Sequence, residues 1–293
     1  MRARAPIALL ALLLLGGCGA DSGDAGSAKG VLEEAARTPA NSADLKLGLV
    51  ARLRGVEQLQ GPLKLTLRGP YRSNGPDALP DLDMRMHLEG ARKNVDFRLI
   101  TVRDNAFVEY GGSTYEVGRE LVRRYTGRGQ RQQRDLRRLG IDASRWLKDA
   151  GVEDGEANGE PTRKVSGEVD VPRMLGDLNR VFRKLASSGQ LPPGSPAPEI
   201  SQRTIDQIDE AVEEASFEVQ VGRDHILRRN RFDASFELPE ELRSRAKGLE
   251  GGELSVQSDQ TNVNGGQRVR PPANARPLSE LLGGFGLSPA LPN

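Results

Sequence analysis

Residues that could carry out catalysis or bind a metal are few in this chain. Its two histidines are His87, on the polar side of a predicted strand, and His225, beside a predicted turn. Surface histidines explain both positions, because the sequence has no Gly-x-Ser-x-Gly nucleophile motif and no cluster of cysteine and histidine that would bind zinc. We therefore predict that the protein is not an enzyme and that it has no metal site and no cofactor.

Four acidic residues lie close together in the sequence, at Asp149, Glu153, Asp154 and Glu156. An EF-hand calcium loop needs ligands at fixed positions and a glycine at its sharp turn, and this group has neither. A solvated acidic loop is therefore the favoured interpretation. Because two carboxylates are sufficient for glycoside hydrolysis, an envelope hydrolase is kept as a third candidate function.

The only cysteine stands in a specific context. Arg2 and Arg4 precede the apolar run IALLALLLL, which ends in Leu15-Gly-Gly-Cys18. A short apolar run after basic residues is typical of a secretory signal peptide, and this one is too short to span a bilayer comfortably. Its end resembles a bacterial lipobox, whose cysteine is acylated and becomes the first residue after cleavage. The alternative is an ordinary signal peptide, or a short membrane anchor, with an incidental cysteine.

We therefore predict a signal peptide over residues 1–18, lipid attachment at Cys18, and a location on the extracytoplasmic side of the cell membrane. Without a second cysteine no disulfide can form within the chain, so a hydrophobic core must stabilise it. The net charge is +1, and removing Arg2 and Arg4 leaves −1. This balance argues against nucleic acid as a partner. We expect a monomer that meets the membrane through its lipid anchor.

Domain boundaries follow from changes in composition. Residues 19–42 are rich in Gly, Ala, Ser and Asp, which is typical of a flexible tether. A short first helix is the alternative there, because VLEEAAR has apolar residues at helical spacing. Residues 43–276 are predicted to form one domain, followed by a loose C-terminal tail at 277–293.

Strands are predicted wherever apolar and polar residues alternate. Residues 45–53, 63–68 and 82–89 show this period clearly, and NVDFRLITV, AFVEY and STYEV continue it less cleanly. Period two places apolar side chains on one face and polar side chains on the other, as in an antiparallel sheet with one face in solvent. Three more strands follow late in the chain. The last of them, GELSVQSDQTNVN, is mostly polar and is predicted to be a sheet edge.

Helical periodicity is found in the middle of the chain. Residues 171–186 and 204–214 each have one apolar face. Residues 119–138 are rich in arginine around a sparse apolar stripe and are predicted to form two short helices. A solvated helical face is the favoured interpretation of this basic segment. A patch for the anionic headgroups of a membrane or of a lipid cargo is the alternative.

The order of motifs after residue 138 resembles a known family. Leu139-Gly140 and Trp146-Leu147 are followed by Pro161-Thr162, Val165-Ser-Gly, Val169-Asp-Val and the helix at 171–186. This order is similar to that of the LppX/LprAFG group of actinobacterial lipoproteins and, more distantly, of the LolA/LolB lipoprotein carriers. The resemblance covers about residues 30–275. The chain departs from it at Lys164, where a polar ring such as His would be expected, and in an added Pro-rich segment at 187–199.

The resemblance implies an α+β fold with a single curved antiparallel β-sheet, a half-barrel, whose concave face is covered by helices and holds lipid beneath them. The implied function is a carrier or chaperone that binds the acyl chains of a lipid, glycolipid or lipoprotein cargo. The alternative is an anchored structural or sensory domain with a fully packed core. If a cavity exists, its predicted lining consists of Leu47, Leu49, Leu65, Leu67, Met84, Met86, Met174, Leu178 and Phe182.

Overall fold

The computed structural model describes residues 26–56, 59, 61–75, 78–90, 94–123, 143–187, 200–244, 246 and 248–284. The predicted signal peptide with Cys18, most of the Arg-rich segment 119–138 and nearly all of the Pro-rich segment 187–199 lie outside these residues. These three assignments therefore stay predictions. Residues 119–123, where the Arg-rich segment begins, are helical.

Within the described residues, one twelve-stranded sheet forms the body of the protein. Its strand order is β12-β6-β5-β4-β3-β2-β1-β11-β10-β9-β8-β7. Neighbouring strands are antiparallel except for the short β12, which runs parallel to β6. The predicted α+β class is confirmed. The strands are β1 Ser42–Arg54, β2 Leu63–Arg72, β3 Asp81–Glu89, β4 Val95–Val102, β5 Asn105–Tyr110, β6 Ser113–Glu116, β7 Leu147–Ala157, β8 Glu160–Val169, β9 Val212–Gly222, β10 Leu227–Glu237, β11 Gly251–Thr261 and β12 Arg276–Pro277.

Five helices of the described residues are labelled α1 Ala28–Arg37, α2 Val171–Ser187, α3 Gln202–Ala211, α4 Glu240–Arg243 and α5 Leu278–Gly284, and a 3-10 helix spans Ala143–Trp146. The predicted helix at 171–186 is thus found with one more residue. The second predicted helix begins earlier than 204, because Ser201 is its N-cap and accepts a hydrogen bond from the Thr204 amide at 3.2 Å. Helix α3 ends at Ala211, and β9 begins at Val212.

Two assignments made from the sequence are corrected by the topology. The polar strand β11 is not an edge, since it lies between β1 and β10 and pairs with β1 over its whole length. Its polar side chains alternate with Leu254 and Val256, which face the core. The acidic residues 149–156 form part of the edge strand β7 instead of a loop. A turn at Asn158-Gly159 joins β7 to β8, with φ of 55° and 81° at these two residues.

The two chain termini of the domain are more ordered than the composition predicts. Helix α1 packs on β8 and β9 through Val31, which is 0% exposed. The alternative of a short first helix therefore holds for residues 28–37, and the predicted tether does not extend to residue 42. At the other end, β12 and α5 occupy residues 276–284, which include the start of the predicted tail.

The main core lies on one side of the sheet. Its buried residues come from β1, β8, β10, β11 and the start of α2, and Met174, Leu175 and Ile208 of the two long helices pack against them. We call this side the apolar face and the opposite side the polar face. A small cluster on the polar face joins Ile100, Val102 and Phe107 to Val269 and Ala275 of the segment before β12. The buried residues of the main core are Leu49, Ala51, Val169, Val171, Phe232 and Val256.

Candidate ligand-binding face

The apolar face continues across strands β1 to β4 because the strand register places apolar residues opposite one another. Leu47 pairs with Leu67, Leu67 with Met86, and Met86 with Phe97. Directly opposed residues in antiparallel strands share a face, with Cα atoms roughly 4.5–5.5 Å apart. The result is a row of apolar side chains that runs across four strands.

A second row of apolar residues lies two residues further along each strand and therefore on the same face. Met84 of β3 pairs with Leu99 of β4, and Leu99 pairs with Val108 of β5. These rows extend the apolar face to β5. We refer to Leu67, Met84, Met86, Phe97 and Leu99 as the apolar stripe.

One half of the apolar face is closed by helices. Leu47, Leu49 and Leu65 of the predicted lining pack in the same cluster as Met174 of α2. Leu49 is only 7% exposed. These four residues of the predicted lining therefore belong to, or pack against, one hydrophobic cluster.

The apolar stripe differs from this packed half. None of the three hydrophobic clusters found among the described residues includes Leu67, Met84 or Met86. Met84 is buried, whereas Leu67 and Met86 are partly buried. The stripe is an apolar surface that the described helices α2 and α3 leave outside their packed cluster.

Two further predicted residues lie on α2. Leu178 is buried, at 4% exposure, and Phe182 belongs to the helix, although its side chain is outside what the structure describes. Among the described residues no cluster joins Leu67, Met84 or Met86 to α2. The predicted meeting of the stripe with Met174, Leu178 and Phe182 across a cavity therefore stays a prediction.

Phe97, Leu99 and Val108 belong to the same surface and were missed by sequence reasoning. The signal in NVDFRLITV was weak because apolar residues occur on both sides of β4. Phe97 and Leu99 point to the apolar face, while Ile100 and Val102 pack on the other side with Phe107. A strand with apolar residues on both faces does not show a clear period of two.

The stripe ends in a small cleft beside the hairpin of β5 and β6. The cleft has a volume of about 170 Å³, and Met86, Phe97, Tyr110 and the glycines Gly111 and Gly112 line it together with charged residues. Tyr110 is 38% exposed. The charged residues of the lining are Arg85, Asp96, Arg98 and Glu109. Met86 and Phe97 belong to the apolar face and the four charged residues to the polar face, so the two faces of the sheet meet at this cleft, and its charged residues are called the rim.

Ion pairs hold this rim in place. The Arg98 guanidinium donates to both carboxylate oxygens of Asp83, at 2.6 and 2.7 Å, and to Glu109 at 2.9 Å. The hydrogen bonds to Asp83, and then those to Glu109, raise the pKa of Arg98, so it stays charged. Nearby, His87 lies between Asp96 at 2.7 Å and Glu89 at 2.9 Å. The hydrogen bond to Asp96 is the main reason that the pKa of His87 is raised above 6.5.

A larger groove of about 620 Å³ lies at the other end of the sheet, across β7 to β10. Acidic side chains dominate its lining, with Arg231 as the cation. The acidic residues are Asp149, Glu153, Glu168, Glu218 and Asp233. In the part of the chain that the structure describes, no group of three or more His, Cys, Asp or Glu is placed to hold a metal ion, and no helix is long and apolar enough to cross a membrane.

The helices on the apolar face are attached by specific polar contacts. The indole Nε1 of Trp146 donates to Asp177 Oδ2 of α2 at 2.9 Å, and both residues are buried. This contact fixes α2 against the 3-10 helix. Asn179 of α2 both donates to and accepts from the backbone of Ile200, at 2.7 and 3.0 Å, which holds the segment before α3 beside α2.

The architecture defines the class of the protein: one wide, mostly antiparallel sheet with helices on its apolar face. No protein-family model matches the chain, and no curated protein matches it with statistical significance. Among solved structures it is similar to lipoprotein LppX of Mycobacterium tuberculosis, with 12% identity and a TM-score of 0.40 over 83% of this chain and 98% of that one. It is also similar to LprF of Mycobacterium bovis, with 12% identity and a TM-score of 0.36 over 84% and 97% of the two chains.

Both structures belong to the lipoprotein group that the order of motifs resembles. Likeness at this level of identity and TM-score carries no information about what this chain binds. The function has to be argued from the surfaces of the chain itself.

Proposed function

We propose that this protein is a membrane-anchored lipoprotein on the extracytoplasmic side of the membrane, and that it binds acyl chains as a lipid or lipoprotein carrier or chaperone. The observation that carries the proposal is the apolar stripe. Leu67, Met86 and Phe97 lie in register on three neighbouring strands, outside the packed cluster, and the last two line a cleft that opens to solvent.

The chemistry of the stripe suits an acyl chain. Removing a methylene group from water is worth about 0.8 kcal/mol, so an alkyl chain laid along several strands gains affinity without a specific polar contact. The two methionines, Met84 and Met86, have flexible, unbranched side chains that adapt to irregular apolar shapes. At the cleft, Arg98 and Glu109 of the polar face would stay in solvent beside a polar headgroup.

The anchor is supported by the sequence that ends at Cys18. Replacing Cys18 with Ala should abolish incorporation of labelled palmitate and should release the protein from the membrane fraction. Unchanged labelling of the Cys18→Ala variant would exclude lipid attachment at this residue.

Acyl-chain binding can be tested by photocrosslinking. A palmitic acid that carries a diazirine is added to the protein purified from its own host, and crosslinked peptides are located by mass spectrometry. Crosslinks are expected on β2, β3 and β4. The variants Leu67→Arg and Met86→Trp should reduce crosslinking strongly, because a charge or a bulky ring occupies the stripe.

Thr66→Arg is the matched control, since Thr66 precedes Leu67 in β2 but points to the polar face. It should leave crosslinking unchanged. Circular dichroism must show that all variants are folded. Equal loss in Thr66→Arg and Leu67→Arg, or no crosslinking in the parent protein, would refute the proposal.

The second candidate is a structural or sensory domain that carries no ligand. The packed cluster around Leu49 and Met174 favours it, because under these helices the apolar face is filled by the protein itself. In that case the crosslinking of the parent protein would be scattered over its surface, and organic extraction of the host-purified protein would release no bound lipid apart from its own anchor.

A further inference from the structure

Charged residues on the polar face are mostly arranged as ion pairs, either between strands or within one strand. Each pair joins a cation to a carboxylate that lies close on the same face, so the charges of the face are largely neutralised locally. The pairs are Arg52–Glu253 at 3.2 Å, Lys64–Glu89 at 3.7 Å, Arg98–Asp83 at 2.6 Å, Arg229–Asp259 at 2.6 Å, Arg231–Asp233 at 2.6 Å, and Arg54 with Glu237.

Three cations that lie in register on neighbouring strands have no such partner. Lys46 of β1 lies directly opposite Arg68 of β2, and Arg68 lies directly opposite Arg85 of β3. All three are exposed. Among the described residues, none of their side chains has an ion pair or a hydrogen bond. We call these three residues the cation row.

The neighbouring carboxylates are already engaged. Asp259, which lies opposite Lys46, accepts from Arg229 at 2.6 Å and from Gln257 at 2.8 Å. Asp83, two residues before Arg85 on the same face, is held by both branches of the Arg98 guanidinium. Asp259 and Asp83 therefore neutralise other cations. Asp44, two residues before Lys46 on the same face, accepts from the Asn262 amide at 3.1 Å and forms no ion pair with the row.

A row of three cations without carboxylate partners destabilises the sheet unless an anion binds to it. Like charges directly opposite each other destabilise a sheet. Neighbouring strands are roughly 4.8 Å apart, so three positive charges span only about 10 Å. The residues beside the row leave room above the sheet, because Gly48 and Thr66 occupy the next opposed pair.

We propose that Lys46, Arg68 and Arg85 form a binding site for a phosphoryl group. Two guanidinium groups can each donate a pair of hydrogen bonds to phosphate oxygens, and a lysine adds a compact positive charge. The phosphoryl group can belong to the headgroup of an anionic lipid or to a free phosphate. The site lies on the polar face. Arg85 also lines the cleft at which the two faces of the sheet meet, but binding of a phosphoryl group does not require acyl-chain binding on the apolar face.

The test measures thermal unfolding of the full protein, purified from membranes in dodecyl maltoside micelles. One arm adds millimolar inorganic phosphate and compares it with sodium chloride at the same ionic strength. The other arm adds phosphatidylglycerol to the micelles and compares it with phosphatidylcholine. A ligand that binds the native state raises the melting temperature, by about 2–4 °C when its concentration is a few times its dissociation constant.

Two triple variants separate the site from general charge effects. Lys46→Gln, Arg68→Gln and Arg85→Gln together remove the cation row, and should abolish the shift. Arg52→Gln, Arg54→Gln and Lys64→Gln together remove three positive charges from β1 and β2. These three cations, unlike those of the cation row, are paired with carboxylates. This control should keep the shift. If the triple row variant fails to fold, the single variant Arg68→Gln replaces it and should reduce the shift by more than half.

Each outcome decides the proposal. If inorganic phosphate raises the melting temperature of the parent protein but not that of the triple row variant, free phosphate is a sufficient ligand. A shift only with phosphatidylglycerol identifies the lipid headgroup as its source. No shift in either arm, or an equal loss in the two triple variants, overturns the site. The Arg-rich segment 119–138 is intact in all variants, so it cannot account for a difference between them.

Discussion

The two halves of the apolar face have the same strand pattern but different surroundings. Leu49 of β1 is buried in a cluster with residues of α2 and α3, whereas Leu67 of β2 is partly buried and belongs to none of the clusters among the described residues. Strands β1 and β2, which carry these two leucines, alternate equally well. The difference comes from the helices, which follow β8 in the chain and pack near β8 to β11. Alternation therefore determines which face is apolar, but the position of the helices determines which part of it becomes core.

The largest expected effect is a difference in stability between two leucine truncations. Leu49→Ala should lower the free energy of unfolding by about 2–5 kcal/mol, because it leaves a cavity in a packed cluster. Leu67→Ala should lower it by about 1–2 kcal/mol, since part of this side chain is already in contact with solvent. Urea unfolding followed by circular dichroism measures both values.

Thr66→Ala on the polar face serves as the reference for a truncation in β2 that removes no core contact. Equal losses for Leu49→Ala and Leu67→Ala would show that the stripe is as tightly packed as the helix-covered half, and would remove the basis for acyl-chain binding there.

A second prediction concerns acid, and it affects the packed half. Glu34 of α1 contacts Arg163 of β8 and His225 of the β9–β10 turn, each at 2.9 Å. The hydrogen bond from Arg163 is the largest reason that the pKa of Glu34 is lowered from 4.5. Because the pKa of Glu34 is lowered in the folded protein, its ion pairs contribute fully to stability above pH 4.5. This contribution is lost as the pH falls through the folded-state pKa of Glu34. We expect α1 to loosen first on acidification.

Hydrogen exchange of residues 28–37, measured at pH values on both sides of 4.5, checks this expectation. The Glu34→Gln variant lacks the ion pairs of Glu34 at every pH. Its α1 amides should therefore exchange faster than those of the parent protein at neutral pH, and their exchange should depend less on acidity. An unchanged pH dependence in this variant would show that another group controls the attachment of α1.

The smallest expected effect concerns the strands of the stripe at higher pH. The pKa of His87 is raised above 6.5, chiefly by Asp96. Its contribution to the pairing of β3 with β4 is therefore present below pH 6.5 and is lost as the pH rises through the folded-state value. The two halves should thus respond at opposite ends of the pH range.

NMR titration of the imidazole signals measures this pKa directly. The chain has only two histidines, so a His225→Gln variant assigns the signals. Asp96→Asn should lower the pKa of His87 back toward 6.5. A value for His87 at or below 6.5 in the parent protein would contradict the ion pairs of the rim.

Much of the candidate face could be predicted from local patterns. Leu47, Leu65, Leu67, Met84 and Met86 were assigned to one face, and the register of β1, β2 and β3 places them there. Alternation is a local property, since successive side chains in an extended strand point to opposite sides. Phe97 and Leu99 were missed because β4 carries apolar residues on both faces, one of which is covered by Val269 and Ala275.

The sequence by itself indicated most of the strands, the two long helices and the apolar and polar faces, and it predicts the anchor at Cys18. Only the tertiary structure decided that β11 joins β1 in the middle of the sheet, that α1 packs on β8 and β9, and that Lys46, Arg68 and Arg85 stand in one row. These features depend on contacts between residues far apart in the chain. Their register is set by packing of whole strands and helices against each other, and no local period in the sequence records it.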